Sequence, residues 1–209
     1  MTASEPRRDC PLCPRLVAYR CLNIRQEPDW YNGPAPSFGD ANGWLLIVGL
    51  APGRSGANRT GRPFTGDWAG DLLYATLAKV GLSSGIYAAR ADDGLALHGV
   101  TITNAVRCAP PLNKPETSEI ANCASFLKAQ IEAMSNLTTL ICLGKISHDA
   151  VIRALGGRLS HNKFVHGATH TLGGYHVYDS YHCSRYNTNT RRLTAAMFEA
   201  VFEAALTGR

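Results

Sequence analysis

The residues best equipped for chemistry fall into three groups. The first is the cysteines: Cys10, Cys13, Cys21, Cys108, Cys123, Cys142 and Cys183. An odd number argues against a disulfide framework and for ligation or burial. Cys10 and Cys13 form a C-x2-C pair, Cys108 follows an apolar run, and Cys123 lies 15 positions further on. Four thiolates from three segments suit tetrahedral zinc or a [4Fe–4S] cluster. Zinc sites more often use two C-x2-C pairs, so the wide second spacing leans towards a cluster. Four unrelated cysteines are the plain alternative. Cys142, inside TLICL, reads as a buried apolar residue, and Cys21 has no partner motif.

The second group is a glycine-rich loop, GLAPGRSGANRTGRPFTGD, running from Gly49 to Asp67. Its glycines allow a ligand close to the backbone, with Gly49, Ala51, Pro52 and Gly53 as the candidate cradle. It matches neither G-x-x-x-x-G-K-[ST] nor a clean G-x-G-x-x-G, so a nucleoside triphosphate site is poorly supported. Phe64 either stacks on a base or packs into the core. Asp67 either orients water or caps the helix that follows. The third group is SYHCSRYNTNT, Ser180 to Thr190. Here His182 could donate to a developing anion, and Ser184, Arg185 and Asn187 could hold phosphates; a packed histidine and a solvated basic turn are the alternatives. Asn104 offers both donors and an acceptor, which matches the edge of uracil or another deaminated base.

These groups need a scaffold, and the hydrophobic pattern supplies one. Short apolar runs at Trp44–Val48, Val100–Ile102, Thr139–Leu143 and Tyr175–Tyr178 read as strands. Helical spacing appears in Leu72–Val80, from Pro115 to Met134, from Ser147 (as cap) to Leu155, and from about Thr194 onward. Gln26–Asn42, rich in proline and glycine, reads as a connection from an N-terminal arm. The alternation predicts an α/β three-layer sandwich around a central, mainly parallel four-stranded sheet. Ligands bind such sheets beyond the carboxyl ends of the strands, where all the candidate loops lie. On its apolar helix face Cys123 points inward.

The 209 residues, 45% apolar, are read as one domain spanning 1–209. A net charge of +5 permits a polyanionic partner without proving one. No apolar run approaches the roughly 18 residues of a membrane span, and no apolar segment follows the N-terminal arginines. A cytoplasmic address is therefore expected; the chain is also expected to be a monomer.

Taken together, GLAPGRSGANRTGRPFTGD, ITNAVRCAPP (Ile102–Pro111), SYHCSRYNTNTRRLT (Ser180–Thr194) and CPLCPRL (Cys10–Leu16) resemble the uracil-DNA glycosylase superfamily, and within it family 5, or type B. The resemblance covers essentially the whole chain. It implies hydrolysis of the N-glycosidic bond of uracil, and of other deaminated bases such as hypoxanthine and xanthine, in DNA. It also implies a [4Fe–4S] cluster on Cys10, Cys13, Cys108 and Cys123, base stacking by Phe64, base reading by Asn104, and catalytic roles for Asp67 and His182. Leu50 stands where related glycosylases often carry a polar residue, in keeping with an aspartate at Asp67 taking that part. Cys183 departs from the proline usual after the histidine, and a freer loop is expected there. Two competing functions are a cluster-bearing damage sensor that does not cleave, and a zinc-stabilised hydrolase of free nucleotides or nucleosides.

Overall fold

The computed structural model describes residues 4–208; residues 1–3 and 209 of the expected 1–209 unit lie outside the described residues. In chain order the elements are α1 (Pro14–Gln26), β1 (Phe38–Gly39), β2 (Leu45–Gly49), α2 (Ala57–Thr60), α3 (Trp68–Lys79), β3 (Ser83–Ser84), β4 (Ala96–Leu97), β5 (Val100–Asn104), α4 (Thr117–Ala133), β6 (Thr139–Leu143), α5 (Lys145–Ala154), β7 (Thr169–Leu172), β8 (Tyr175–Ser180), α6 (Arg185–Asn189) and α7 (Ala195–Thr207).

Strands β2, β5 and β6 are buried at every position, as strands covered on both faces must be. The main sheet has the order β1-β5-β2-β6-β8-β7. Its inner four strands are parallel, and they are the four expected. The expected strand number is corrected to six, because β1 and β7 add antiparallel edges. Neither edge carries a buried-strand pattern: β1 is two residues long in the proline-rich connection, and β7 (THTL) alternates exposed and half-buried positions. A small hairpin, β3-β4, stands apart.

The helices form the two outer layers, as expected. Leu73 and Leu77 of α3 share one apolar cluster with Phe198 and Phe202 of α7. Leu127 and Ile131 of α4 share another with Val151 of α5. Ser147 does not cap α5: that helix starts at Lys145 behind Gly144, at φ +101, and the Ser147 hydroxyl donates to the Leu143 carbonyl at 3.1 Å. Gly144 turns the chain out of β6 early enough that Ser147 falls inside the first turn of α5. From β2 the chain moves to β5 on one side, then to β6 and β8 on the other. That reversal opens a crevice beyond the carboxyl ends of β2 and β6.

The loop between β2 and α3 is fixed by one buried ion pair. Arg62 donates bidentately to Asp93, with both N–O distances 2.7 Å and side-chain exposures of 4% and 1%. Its Nε donates to Thr65 Oγ1 at 2.7 Å, and Phe38, Tyr74 and Tyr87 surround the guanidinium at 4.9–5.7 Å. Asp93→Ala would leave that cation buried without its partner, at an expected cost of about 3–5 kcal/mol in urea unfolding. Arg62 holds the Asp93 carboxyl well below its ordinary range. The contribution is therefore complete above the unfolded aspartate value of about 3.9 and is lost as pH falls through the folded value. The stability gap between parent and variant should narrow as pH drops below about 4.

Candidate active site

Two catalytic candidates from distant parts of the chain meet in one cleft. A cavity of about 610 Å³ is lined by Ala51, Gly53, Asp67, His182, Ser184 and Arg185 from the predicted set, together with Leu50, Trp68, Asn113 and Tyr186. Asp67 is the N-cap of α3, its carboxylate accepting from the Gly70 N–H at 3.3 Å. The cap reading and the cleft-lining reading thus hold together. The loop backbone presses against this carboxylate: a Cβ at Gly56 would collide with it, and one at Gly53 would sit 3.0 Å from Oδ2. Burial raises the Asp67 carboxyl above its ordinary value, opposed by the N–H groups of Gly70 and Ala69.

His182 follows β8 and also lines a second cavity of about 300 Å³ with Leu50, Gly144, Phe164, Tyr181, Asn187 and Arg192. The two cavities meet at Leu50 and His182, over the crevice at the ends of β2 and β6. Burial pushes the His182 imidazole down to about 4, so it is neutral at physiological pH. Its backbone is held where Asn187 Nδ2 donates to the His182 carbonyl at 2.8 Å. Ser184 caps α6, accepting from the Asn187 N–H at 3.4 Å. Cys183, expected to loosen the loop, is fully buried in the apolar cluster with Leu193 and Phe198. It anchors by burial where a proline would anchor by stiffness.

Phe64 and Asn104 lie together under the end of β2 and line neither cavity. They are 6% and 2% exposed. A Cβ on Gly49 would strike both the Asn104 Oδ1 and the Phe64 ring. Phe64 adopts φ +53 and faces His182 with ring centroids 6.0 Å apart and 29° between planes. Pro52 is buried behind the loop.

Several contributors went unread in the sequence. Trp68 Nε1 donates to Thr188 Oγ1 at 2.9 Å, with the Arg185 guanidinium 5.5 Å from its ring, which joins the Asp67 loop to the His182 loop. Its position next to Asp67 was the available signal. Asp179, fully buried in β8, receives His148 Nδ1 at 2.7 Å and His170 Nε2 at 3.0 Å. His148 Nε2 donates to the Asn162 carbonyl at 2.9 Å, and His166 accepts from the Tyr181 N–H at 3.1 Å. These contacts pin the 162–166 segment beside the residue preceding His182. Scattered histidines gave no sequence signal, because their convergence needs the sheet.

The four cysteines also converge. Cys10, Cys13, Cys108 and Cys123 line one small pocket with Leu16, Arg20 and Arg107. Arg20 Nη1 lies 3.9 Å from Cys108 Sγ, and Asn122 Nδ2 lies 3.5 Å from Cys13 Sγ. Burial chiefly pushes the Cys108 thiol up to about 12 and that of Cys123 up to about 11. Four thiols from three segments around one pocket, with N–H donors aimed at two of the sulfurs, suit a group held by four thiolates, zinc or an iron–sulfur cluster.

Gly49→Ala tests the close approach beneath the site. Its methyl must displace Phe64 or Asn104, so a loss of about 1–3 kcal/mol is expected in thermal unfolding.

The uracil DNA glycosylase superfamily profile matches residues 36–206. The chain is 46% identical over 203 residues to the type-5 uracil-DNA glycosylase of Thermus thermophilus, covering 93% of this chain and 92% of that one. It is 40% identical over 201 residues to the type-5 enzyme of Pyrobaculum aerophilum, covering 94% and 88%. With the type-5 enzyme of Mycobacterium bovis it shares 38% over 206 residues, covering 94% and 76%. By its fold, its motifs and these matches, the chain belongs to the uracil-DNA glycosylase superfamily, among the type-5 members.

Proposed function

We propose that this cleft hydrolyses the N-glycosidic bond of uracil in DNA, the activity carried in the names of the type-5 relatives. The observation that carries the reading is one cavity presenting a carboxylate, Asp67, and a neutral histidine, His182, from two different loops. The damage-sensor and free-nucleotide readings are not favoured, since the matched relatives are uracil-DNA glycosylases.

The nucleotide must leave the stack to reach this crevice, at a cost of a few kcal/mol that is least for mismatched bases. In the reaction the bond from C1′ to the base nitrogen breaks and the electron pair leaves with the base. Water oxygen bonds to C1′, and the proton released passes to Asp67 and then to solvent. His182 suits the base side. A neutral imidazole carries one N–H, and its hydrogen bond to a carbonyl oxygen strengthens as negative charge builds there. Asp67 suits the sugar side, where a carboxylate orients water and faces the developing cation. Leu50 lines the cleft between these groups and activates nothing. Phe64 and Asn104, packed beneath Gly49, would supply the stacking face and polar edge for the base once it enters. Arg185, exposed at the rim, would meet phosphate. A pocket that relies on leaving-group stabilisation accepts other deaminated purines and pyrimidines, as the family resemblance implies.

Cys10, Cys13, Cys108 and Cys123 would hold a [4Fe–4S] cluster, which would supply a structural tether rather than chemistry at the cleft. The convergence of the four thiols on one pocket and the N–H donors at two of them support this. Metal analysis should find about four iron atoms per chain and visible absorbance; stoichiometric zinc without iron would refute the assignment.

His182→Ala should slow single-turnover cleavage of uracil-containing duplex by about 100- to 1000-fold. Asp67→Asn should slow it while leaving the Kd for DNA unchanged. In the parent, the rate should climb with pH along a limb centred above the ordinary aspartate value of about 3.9, because burial raises Asp67. It should then stay level through neutral pH, where His182 is already uncharged. Parent-level cleavage by Asp67→Asn would reduce that residue to a helix cap.

A further inference from the structure

Asp179 stands where three elements meet. Each of its oxygens faces a different histidine: Oδ1 lies 2.7 Å from His148 Nδ1 of α5, and Oδ2 lies 3.0 Å from His170 Nε2 of β7. The side chains of Asp179 and His148 are fully buried, and that of His170 is 12% exposed. One ligand atom from each of the three lies within 4.8 Å of the other two. None of the three lines either cavity at the cleft.

The hydrogen bonds of His148 define the partner that this cluster needs. Its Nε2 lies 2.9 Å from the Asn162 carbonyl oxygen, which can only accept. Nε2 therefore carries the hydrogen, and in a neutral ring the Nδ1 lone pair points at a carboxylate oxygen. Two electron-pair donors 2.7 Å apart repel unless a cation lies between them. That cation is a second proton on the ring or a metal ion. The surroundings are those of a metal ligand. A ligating histidine usually gives its other N–H to a carbonyl or carboxylate, which fixes the ring and its tautomer. Asn162 is itself fixed, its backbone N–H and its Nδ2 donating to the Arg158 carbonyl at 3.2 and 3.0 Å. Asp179 has a further donor in the Val165 N–H, 3.4 Å from Oδ2. Phe164 gives the site an apolar wall, its ring edge-on to His148 at 5.7 Å.

Zinc binds imidazole nitrogen and carboxylate oxygen at about 2.0–2.2 Å, so a tetrahedral ion holds such atoms about 3.4 Å apart. The contacts at 2.7 and 3.0 Å need open by only about half an ångström to admit it. Two imidazoles and one carboxylate suit a borderline ion such as zinc, and not a hard ion such as magnesium.

We propose that His148, His170 and Asp179 form a zinc site, apart from both the cleft and the four cysteines, that clasps α5, β7 and β8 together. The partly exposed His170 is the route by which the ion enters. The role is structural. The ion would also fasten the 162–166 segment, in which His166 accepts the Tyr181 N–H at 3.1 Å and Phe164 lines the cavity of about 300 Å³ beside His182. One wall of that cavity is thereby held from behind. The proposal does not depend on the glycosylase reading.

The test titrates ZnCl2 into the purified chain after treatment with EDTA, by calorimetry, and compares the parent with His170→Gln and His148→Gln. Glutamine at 170 can still donate to Asp179, but a carboxamide is a poor zinc ligand. Iron is measured on the same samples, so zinc entering the cysteine pocket is recognised as zinc gained where iron is missing. The parent should bind one zinc ion per chain beyond any such zinc, and its Tm should rise with ZnCl2 and stay unchanged with MgCl2. Each variant should bind zinc at least about 100-fold more weakly, since the loss of a mere second-shell partner already costs about 10- to 100-fold, and zinc should not raise its Tm. Binding is read below all the melting temperatures, so a less stable variant still decides the question. Failure of the parent to bind zinc would leave a proton as the cation between His148 and Asp179 and overturn the site. Equal binding by the parent and His170→Gln would overturn it too, as would a rise in Tm with MgCl2 equal to that with ZnCl2.

Discussion

The ion pair between Arg62 and Asp93 is the constraint on which the site depends. A loop of some twenty residues with this much glycine has large conformational entropy to lose. Arg62 removes much of that freedom in one place. It ties the loop to Asp93, to Thr65 beside Phe64, and to a box of three aromatic rings. Phe64, two residues on, can then be held at φ +53, and Asp67 can arrive at the start of α3 with its carboxylate turned into the cleft. A lysine would give neither the bidentate fork nor the flat face that the rings enclose.

Within that frame, burial tunes the two catalytic candidates in a common sense. It raises the carboxyl of Asp67 and lowers the imidazole of His182, favouring the uncharged form of each. The Trp68–Thr188 hydrogen bond keeps the two loops at a fixed separation, so a change in one is felt by the other. Behind them, Asp179 collects donors from two histidines, and the Tyr181 N–H is tied to His166, so the approach to His182 is braced from the far side of the sheet.

Much of this was legible in the sequence because it is local. The four parallel strands are continuous apolar runs, and the helices carry their faces and stops at helical spacing. The cleft loops stand out because their residue types make little sense as core. The edge strands were not legible, since two residues of β1 and the polar β7 owe their state to a neighbour's hydrogen bonds rather than to any pattern of their own. Ser147 misled because a serine before an apolar stretch is the usual cap, whereas here Gly144 turns the chain earlier. Phe64 and Asn104 were recognised as a pair but not as neighbours beneath Gly49, which depends on β2 and β5 lying side by side. Asp93, the partner of Arg62, is invisible to spacing rules at 31 positions' distance.

The N-terminal arm has a consequence for the order of assembly during synthesis. Arg15 meets Glu119 across 104 positions, Glu5 meets Arg107 across 102, and Arg20 meets Cys108 across 88. At about 5–20 residues per second, a ribosome needs roughly 5–20 s to make the partners that the arm already awaits. Through that interval α1 has no surface to lie on, and Leu16, nearly fully buried in the finished protein, must stay in water. The four thiols cannot meet before Cys123 has left the exit tunnel. Helix α1 is thus made well before the partners that fasten it, and the nascent chain passes through a stage in which the central sheet is under construction while that helix has nothing to lie on.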